Sequence, residues 1–249
     1  MANQLTDREF WTNYWESKPD LAINIPKDYL FHKQLENIIS RDQTKRAIEL
    51  GGFPGYYTLF LKKYFNVEST LFDYFIHREV LQSVLERNGL GIDDIGVTEA
   101  DLFNYKPEKV FDLVLSCGLI EHFNDTKDVI DRHINFLRPG GTLFITLPNF
   151  RGVNGWVQKT FDRENYLKHN INCMYPDVLA KTAGELGLKN VKAAYWGGFS
   201  VWLENKGQKP FLTRAFIKMI WFLGKVVSKI IPVESRLLSP YIVLEAKLL

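Results

Sequence analysis

Short apolar runs alternate with amphipathic segments between residues 46 and 147. Apolar runs bounded by turn residues predict strands, and the segments between them have the helical period. An alternation of strands and helices is typical of a parallel, doubly wound sheet with helices on both faces. The pattern predicts five such strands, at residues 46–50, 67–72, 95–98, 110–116 and 142–147.

The rest of the chain adds two predicted strands and three other segments. Residues 1–40 form an aromatic-rich helical segment, which we expect to pack on the sheet. Residues 149–175 are a long connection of mixed polar and aromatic residues, which predicts a lid or substrate loop. Residues 211–231 predict an apolar, basic helix inserted between the last two strands, and residues 1–249 are interpreted as a single domain. The two strands are predicted at residues 191–203 and 240–248.

Composition narrows the class of protein. Hydrophobic residues make up 46% of the 249 residues, enough for a substantial core. The formal net charge of +2 argues against a nucleic-acid partner. The cysteines Cys117 and Cys173 lack the paired spacing of a metal cluster, so no metal site is predicted. Free cysteines, and a beginning without a basic and apolar leader, predict a cytoplasmic protein.

A glycine-rich turn follows the first predicted strand. Glu49 lies near the end of that strand, and Gly51, Gly52, Phe53 and Gly55 follow it. Glycines let the backbone turn sharply and come close to a ligand. The helix that begins behind them offers unpaired N–H groups, and the carboxylate of Glu49 can interact with a cationic part of the ligand.

Asp73 follows the second predicted strand. A carboxylate at this place can accept hydrogen bonds from both hydroxyls of a ribose, as in dinucleotide-binding folds. A helix N-cap is the structural alternative for this residue.

These residues resemble the first motif of the class I S-adenosylmethionine-dependent methyltransferases. That motif is an acidic residue, any residue, and then Gly-x-Gly-x-Gly. Glu49, Gly51 and Gly55 match it, whereas Phe53 stands where the middle glycine falls. The resemblance implies S-adenosylmethionine as the cofactor. It also implies a seven-stranded, mainly parallel sheet in the order 3-2-1-4-5-7-6, with the last strand antiparallel.

The same resemblance implies roles for residues farther along the chain. Asp73 corresponds to the acid that binds the ribose, and Tyr74 after it is expected near the adenine. Asp101, with the adjoining Leu102, corresponds to the acid near the adenine amino group.

The stretch after the fourth predicted strand is a further point of resemblance. It reads S-C-G-L-I-E-H-F from Ser116 to Phe123. This is similar to the S-x-G-x-x-E-H-F stretch of cyclopropane fatty acid synthases and to the L-E-H stretch of quinone-biosynthesis methyltransferases. The resemblance implies that Ser116, Cys117 and Gly118 lie at the cofactor.

Three residues are candidates for the chemistry. Glu121 and His122 follow the fourth strand, where open α/β sheets bind their ligands, and His169 lies in the predicted lid. A capping role for the first pair and ordinary exposure for His169 are the alternatives. His122 is the candidate general base, which is needed only where the acceptor must lose a proton.

The predicted reaction is in-line methyl transfer to a small-molecule acceptor, or to an acceptor linked to a lipid or glycan. Two other functions stay open. An NAD-dependent oxidoreductase would require G-x-G-x-x-G after the first strand, whereas the run here is G-G-F-P-G-Y. A non-catalytic scaffold that binds cofactor or membrane is the second.

The segment 211–231 has a charge pattern of its own. It contains no acid, and Arg214, Lys218, Lys225 and Lys229 fall on one stripe of a helix. An apolar face with basic heads predicts peripheral contact with an anionic membrane. A helix buried against the domain or in a homodimer, with its lysines reaching solvent, is the alternative.

Overall fold

The computed structural model describes residues 4–18, 20–107 and 110–249. Within this part of the chain the strands form one sheet of seven strands. They are β1 (Arg46–Leu50), β2 (Glu68–Asp73), β3 (Gly96–Glu99), β4 (Phe111–Cys117), β5 (Leu137–Pro148), β6 (Lys189–Trp196) and β7 (Tyr241–Lys247).

The order of the strands is β3-β2-β1-β4-β5-β7-β6. Strands β1 to β5 pair in parallel, and β7 lies antiparallel between β5 and β6. The predicted fold is therefore confirmed. From β1 the chain first adds strands toward one edge of the sheet, and from β4 it adds them toward the other edge. Open α/β sheets bind ligands at the carboxyl ends of the strands beside such a reversal of strand order.

Helices cover both faces of the sheet. On one face, Leu35, Leu59 and Leu81 pack with Phe144 in one apolar core, and on the other, Val129 and Leu179 belong to a second core. The helices are α1 (Arg8–Glu16), α2 (His32–Asp42), α3 (Tyr56–Phe65), α4 (Arg78–Arg87), α5 (Thr126–Ile134), α6 (Val153–Phe161), α7 (Arg163–Leu167), α8 (Pro176–Glu185) and α9 (Phe211–Ile230).

The connection 149–175, expected to be a loop, is largely helical because it contains α6 and α7. Glycine disfavours a helix interior. Gly155 nevertheless lies inside α6, where a side chain would collide with the backbone of Phe150. The helix thus packs too closely for any larger residue at this position. A role as a lid stays a prediction.

The predicted strand 191–203 is also shorter than expected, since β6 ends at Trp196. Gly197 follows with a left-handed φ of 91°. The apolar residues beyond it, Phe199, Val201 and Leu203, form a small core with Val157 of α6 and Ile217 of α9. Their hydrophobicity therefore reflects packing under two helices, not membership of the sheet.

The N-terminal segment carries α1 and α2, joined by a connection without regular secondary structure in its described residues. The side chain of Asp7 caps α1 by accepting the N–H of Phe10. Before this helix, the N–H of Leu5 donates to the carbonyl of His122 at 2.8 Å. The beginning of the described chain is thereby held against the residues that follow β4.

None of the helices in the described part of the chain is both long enough and apolar enough to cross a membrane.

Candidate functional site

A cavity of about 430 Å³ lies at the carboxyl ends of β1, β2 and β4. This is the edge of the sheet at which the strand order reverses. The cavity brings together thirteen of the residues predicted from the sequence: Glu49, Gly51, Gly52, Phe53, Asp73, Tyr74, Asp101, Leu102, Cys117, Gly118, Glu121, His122 and His169.

Two predicted residues, Ser116 and Gly55, do not line the cavity, and their place at the cofactor stays a prediction. Ser116 is fully buried and its hydroxyl lies 2.9 Å from Nε2 of His133 on α5, because residues alternate between the two faces of a strand. Gly55 is the residue before α3, and its N–H donates to the carbonyl of Gly52. It shapes the turn without lining the cavity.

The glycine turn connects β1 to α3. The N–H groups of Gly51 and Gly52 both donate to the carbonyl of Phe72 at the end of β2. Gly51 and Gly55 have left-handed φ values of 63° and 94°, which favour glycine. Phe53 replaces the middle glycine without strain of this kind, and its buried ring contacts the ring of Trp15 on α1 at a centroid distance of 5.3 Å.

Glu49 lies beneath this turn and is buried. Its Oε2 accepts hydrogen bonds from the N–H and the hydroxyl of Thr58, at 2.7 and 2.6 Å. Burial raises the pKa of Glu49 to about 7, and the nearby Asp73 carboxylate adds to that rise. The side chain is therefore fixed in orientation and close to half-ionised near neutral pH.

Asp73 links the ends of the first two strands. Its Oδ2 accepts the N–H of Phe53 at 2.9 Å, and its Oδ1 accepts the N–H of Phe75 at 3.1 Å. Burial nevertheless raises the pKa of Asp73 to about 6. Because a carboxylate has about four acceptor positions, two further hydrogen bonds to a ligand can be made.

Asp101 follows β3 on the same side of the cavity. Its Oδ1 accepts the N–H of Phe103 at 2.9 Å, and its Oδ2 accepts the side-chain amide of Asn104 at 2.6 Å. These bonds orient the carboxylate in the lining of the cavity, to which Leu102 and Tyr74 also belong.

Glu121, His122 and His169 form a polar cluster in the lining of the cavity. Nδ1 of His122 lies 3.0 Å from the carbonyl of Lys168, and Nδ1 of His169 lies 2.7 Å from the carbonyl of Asn165. Since a carbonyl only accepts, each Nδ1 carries the proton and each Nε2 has a free lone pair. Both imidazoles can therefore accept a proton or a hydrogen bond through Nε2.

Glu121 is the unusual member of this cluster because its buried Oε2 has no hydrogen-bond partner among the described residues. Burial raises the pKa of Glu121 to about 8 and lowers the pKa of His122 to about 3. One ligand atom from each of Glu121, His122 and His169 lies within 4.8 Å of the others. They are close enough to meet one polar group of an acceptor, and they could also hold a metal ion, so the prediction of no metal site stays a prediction.

Aromatic residues of α1 line the cavity, and their place there was not predicted from the sequence. Phe10, Trp11, Tyr14 and Trp15 of α1 all line it. The ring of Trp11 lies edge-on to that of His122, with centroids 4.9 Å apart. The only signal in the sequence was the density of aromatic residues before residue 16, which did not reveal where α1 docks.

Two hydrogen bonds to one carboxylate hold α1 at the cavity. The hydroxyl of Tyr14 donates to Glu204 at 3.3 Å, and Nζ of Lys18 donates to the same carboxylate at 2.6 Å. Glu204 belongs to the segment between β6 and α9. The N-terminal helix is thus held at the cavity by a residue from the segment between β6 and α9.

The strand order and the cavity at the reversal together define the architecture of a class I S-adenosylmethionine-dependent methyltransferase. The chain belongs to the methyltransferase domain family, whose family model matches residues 27–193. No curated protein matches the chain in sequence.

Solved structures have the same fold at low sequence identity. A putative sarcosine dimethylglycine methyltransferase from Galdieria sulphuraria is 14% identical with a TM-score of 0.58, and the match covers 96% of this chain and 97% of that one. A methyltransferase from Archaeoglobus fulgidus is 16% identical with a TM-score of 0.53, covering 86% and 93%. The phosphoethanolamine N-methyltransferase 2 of Haemonchus contortus, crystallised with S-adenosylmethionine, is 17% identical with a TM-score of 0.57, covering 86% and 52%.

Proposed function

We propose that the protein transfers the methyl group of S-adenosylmethionine to an O–H or N–H group of a small-molecule acceptor, free or linked to a lipid or glycan. The observation that carries this proposal is the hydrogen bond between Asp73 and the backbone of Phe53. This bond connects the glycine turn to Asp73, the last residue of β2, so that both lie in the wall of one cavity. Binding of a single adenosyl group requires this arrangement.

The cofactor-binding roles follow the chemistry of each side chain. Asp73 accepts the ribose hydroxyls, and Glu49 interacts with the cationic ammonium group of the methionine part. Asp101, with Leu102 and Tyr74, receives the adenine. The backbone at Gly51, Gly52 and Gly118 lies close to the cofactor because glycine leaves room for it. The backbone at Cys117 adjoins Gly118 and lies close to the cofactor as well. Burial raises the pKa of the Cys117 thiol, which keeps this residue neutral and unreactive.

Catalysis then depends mainly on alignment. The cofactor supplies a sulfonium methyl group with a good leaving group. The cavity holds the acceptor in line with that methyl and excludes water, and α1 closes it with aromatic rings. When bound, S-adenosylmethionine would supply its methyl group to the acceptor lone pair and leave as S-adenosylhomocysteine, and Glu121 would take the acceptor proton.

The acceptor class is supported by the polar cluster. Glu121, His122 and His169 offer acceptor atoms for hydrogen bonds, and they are the groups that an alcohol or amine would meet. Two of the structural neighbours are named for amines, sarcosine with dimethylglycine and phosphoethanolamine. The aromatic rings of α1 would favour an acceptor with apolar or cationic parts.

Calorimetry with S-adenosylmethionine, S-adenosylhomocysteine and NAD tests the cofactor. We expect binding of the first two and none of NAD, because the turn lacks the dinucleotide spacing. Tight NAD binding would favour an oxidoreductase. Binding of S-adenosylmethionine without methyl transfer to any alcohol or amine in a tritium-transfer screen would favour the scaffold.

The affinity for S-adenosylmethionine should increase with pH through neutrality. Glu49 is protonated below its pKa of about 7, and only the carboxylate attracts the ammonium group. Below that pH, binding must displace the proton, so we expect an affinity about tenfold higher at pH 8 than at pH 6. Asp73, with a pKa of about 6, contributes in the same direction at the acid end. Calorimetry in buffers of different ionisation enthalpy should show proton release.

Glu49→Gln isolates the contribution of this residue. Glutamine can still accept the hydrogen bonds from Thr58, so the turn is preserved while the titration disappears. The matched control is Glu36→Gln, which replaces an exposed acid on α2 outside the cavity. If Glu49→Gln kept the full pH dependence, the assignment of Glu49 to the ammonium group would be wrong.

A further inference from the structure

α9 contacts the rest of the protein through a narrow face. Ile217 is its one buried residue, and Gly224 lies so close to the ring of Phe199 that a side chain there would collide with it. Thr213, Ile220 and Ser228 are half-buried on the same side. The rest of the helix faces solvent, so the alternative that the domain itself buries it is excluded.

The opposite side is a continuous apolar surface. At about 100° per residue, eight of the large exposed side chains fall in one sector of the helix, whereas Phe211 and Trp221 lie outside it. Leu212, Phe222 and Ile230 are 78%, 60% and 74% exposed. We call this sector the outer face, and it consists of Leu212, Phe216, Met219, Phe222, Leu223, Val226, Val227 and Ile230.

The apolar surface extends beyond the helix. The ring of Phe216 lies 5.9 Å from that of Phe161, which in turn lies 5.9 Å from the half-exposed Trp156 of α6. On the other end, Ile231, Val233 and Leu237 are exposed after α9. Apolar patches of this extent on soluble proteins usually mark an interaction surface.

The charges at its border identify the partner. Lys218, Lys225 and Lys229 lie along one edge of the outer face, with Arg214 half-buried beside them, and the segment 211–231 contains no acid. We propose that the outer face of α9 docks the protein flat onto an anionic lipid surface, with the apolar side chains in the acyl boundary and the lysines at the headgroups.

A second copy of the chain fits this surface less well. An antiparallel two-fold dimer through the outer face would place two edges of the same positive charge close together, without an acid in the segment to pair with them. An anionic headgroup satisfies the same lysines. The docking is independent of methyl transfer, and it would hold for a protein that binds no cofactor.

Vesicle sedimentation tests the proposal. We expect the full chain to bind vesicles of equal parts phosphatidylcholine and phosphatidylglycerol, and to bind pure phosphatidylcholine much more weakly. Changing Lys218, Lys225 and Lys229 together to Glu should lower the partition coefficient about 100-fold. The charge-matched control changes Lys33, Lys189 and Lys192, exposed on α2 and β6, to Glu, and should bind as the wild type does.

A second variant tests the apolar contribution. The double variant Phe222→Ser, Ile230→Ser removes two exposed side chains that do not belong to the buried core. The protein should therefore fold normally and lose vesicle binding. Light scattering tests the alternative, a second copy of the chain on the outer face, by showing whether the protein is a dimer. Absence of vesicle binding by the wild type, equal binding by the Lys→Glu variant, or a dimer that this double variant dissociates would each overturn the proposal.

Discussion

Glu121→Gln is expected to lower kcat by about 100- to 10,000-fold, the usual contribution of a positioned base, while the Kd for S-adenosylmethionine stays unchanged. The buried carboxylate lines the cavity, and one of its oxygens has no hydrogen-bond partner among the described residues. Burial raises its pKa to about 8, near the range in which a base works best. Glutamine has the same shape but cannot take the acceptor proton.

His122→Gln should have a smaller effect on kcat. Burial lowers the pKa of His122 to about 3, which makes its Nε2 a hydrogen-bond acceptor but a weak base. The structure thus favours Glu121 over His122 for proton transfer, in contrast to the expectation from the sequence. Comparison of the two variants in single-turnover assays, with cofactor affinity measured separately, distinguishes these roles.

Two controls make the Glu121 result decisive. Because the carboxylate oxygen is unpaired and buried, its replacement should leave the melting temperature unchanged or raise it, so lost activity cannot come from unfolding. Activity in EDTA is the other control, since Glu121, His122 and His169 could hold a metal ion. A wild type inactivated by EDTA and restored by a divalent cation would assign the cluster to metal binding, and an unchanged kcat in the Gln variant would remove Glu121 from the chemistry.

The sheet could be predicted from the sequence because local pattern and fold agree there. The strand Arg46–Leu50 has the predicted bounds, and the helix Tyr56–Phe65 begins behind the glycine turn as expected, since Gly51 and Gly55 punctuate the chain between them. The prediction failed where apolar residues serve another purpose. Phe199 and Val201 continue an apolar run but pack under α6 and α9 after the turn at Gly197.

The sequence predicts the site well for residues at the ends of the strands, and less well for the other residues. Glu49, Asp73 and Gly118 each lie at or just after the end of a parallel strand, so topology alone brings them to one cavity. Ser116 differs from its neighbour Cys117 only by the alternation of a strand, and that sends its side chain to His133. The docking of α1 depends on Lys18 and Tyr14 meeting Glu204, a contact that no local pattern encodes.

Asp73→Ala should weaken the binding of S-adenosylmethionine by about 1–3 kcal/mol, or roughly 5- to 150-fold, as for loss of a charged hydrogen-bond acceptor. Two effects would combine in this variant. The ribose hydroxyls lose their acceptor, and the N–H of Phe53 loses the partner that holds the glycine turn against β2. Asp93→Ala, at an exposed acid outside the cavity, is the matched control and should bind normally.

A cycle that combines the variant with a changed ligand separates these two effects. S-adenosylhomocysteine and its 2′-deoxy analogue are titrated into the wild type and into Asp73→Ala. If Asp73 accepts the 2′-hydroxyl, the wild type discriminates between the two ligands and the variant does not, because the hydroxyl has no partner left to lose. If both proteins discriminate equally, Asp73 acts only through the turn. In that case the carboxylate supports the adenosyl pocket from outside, and the direct ribose contact must be abandoned.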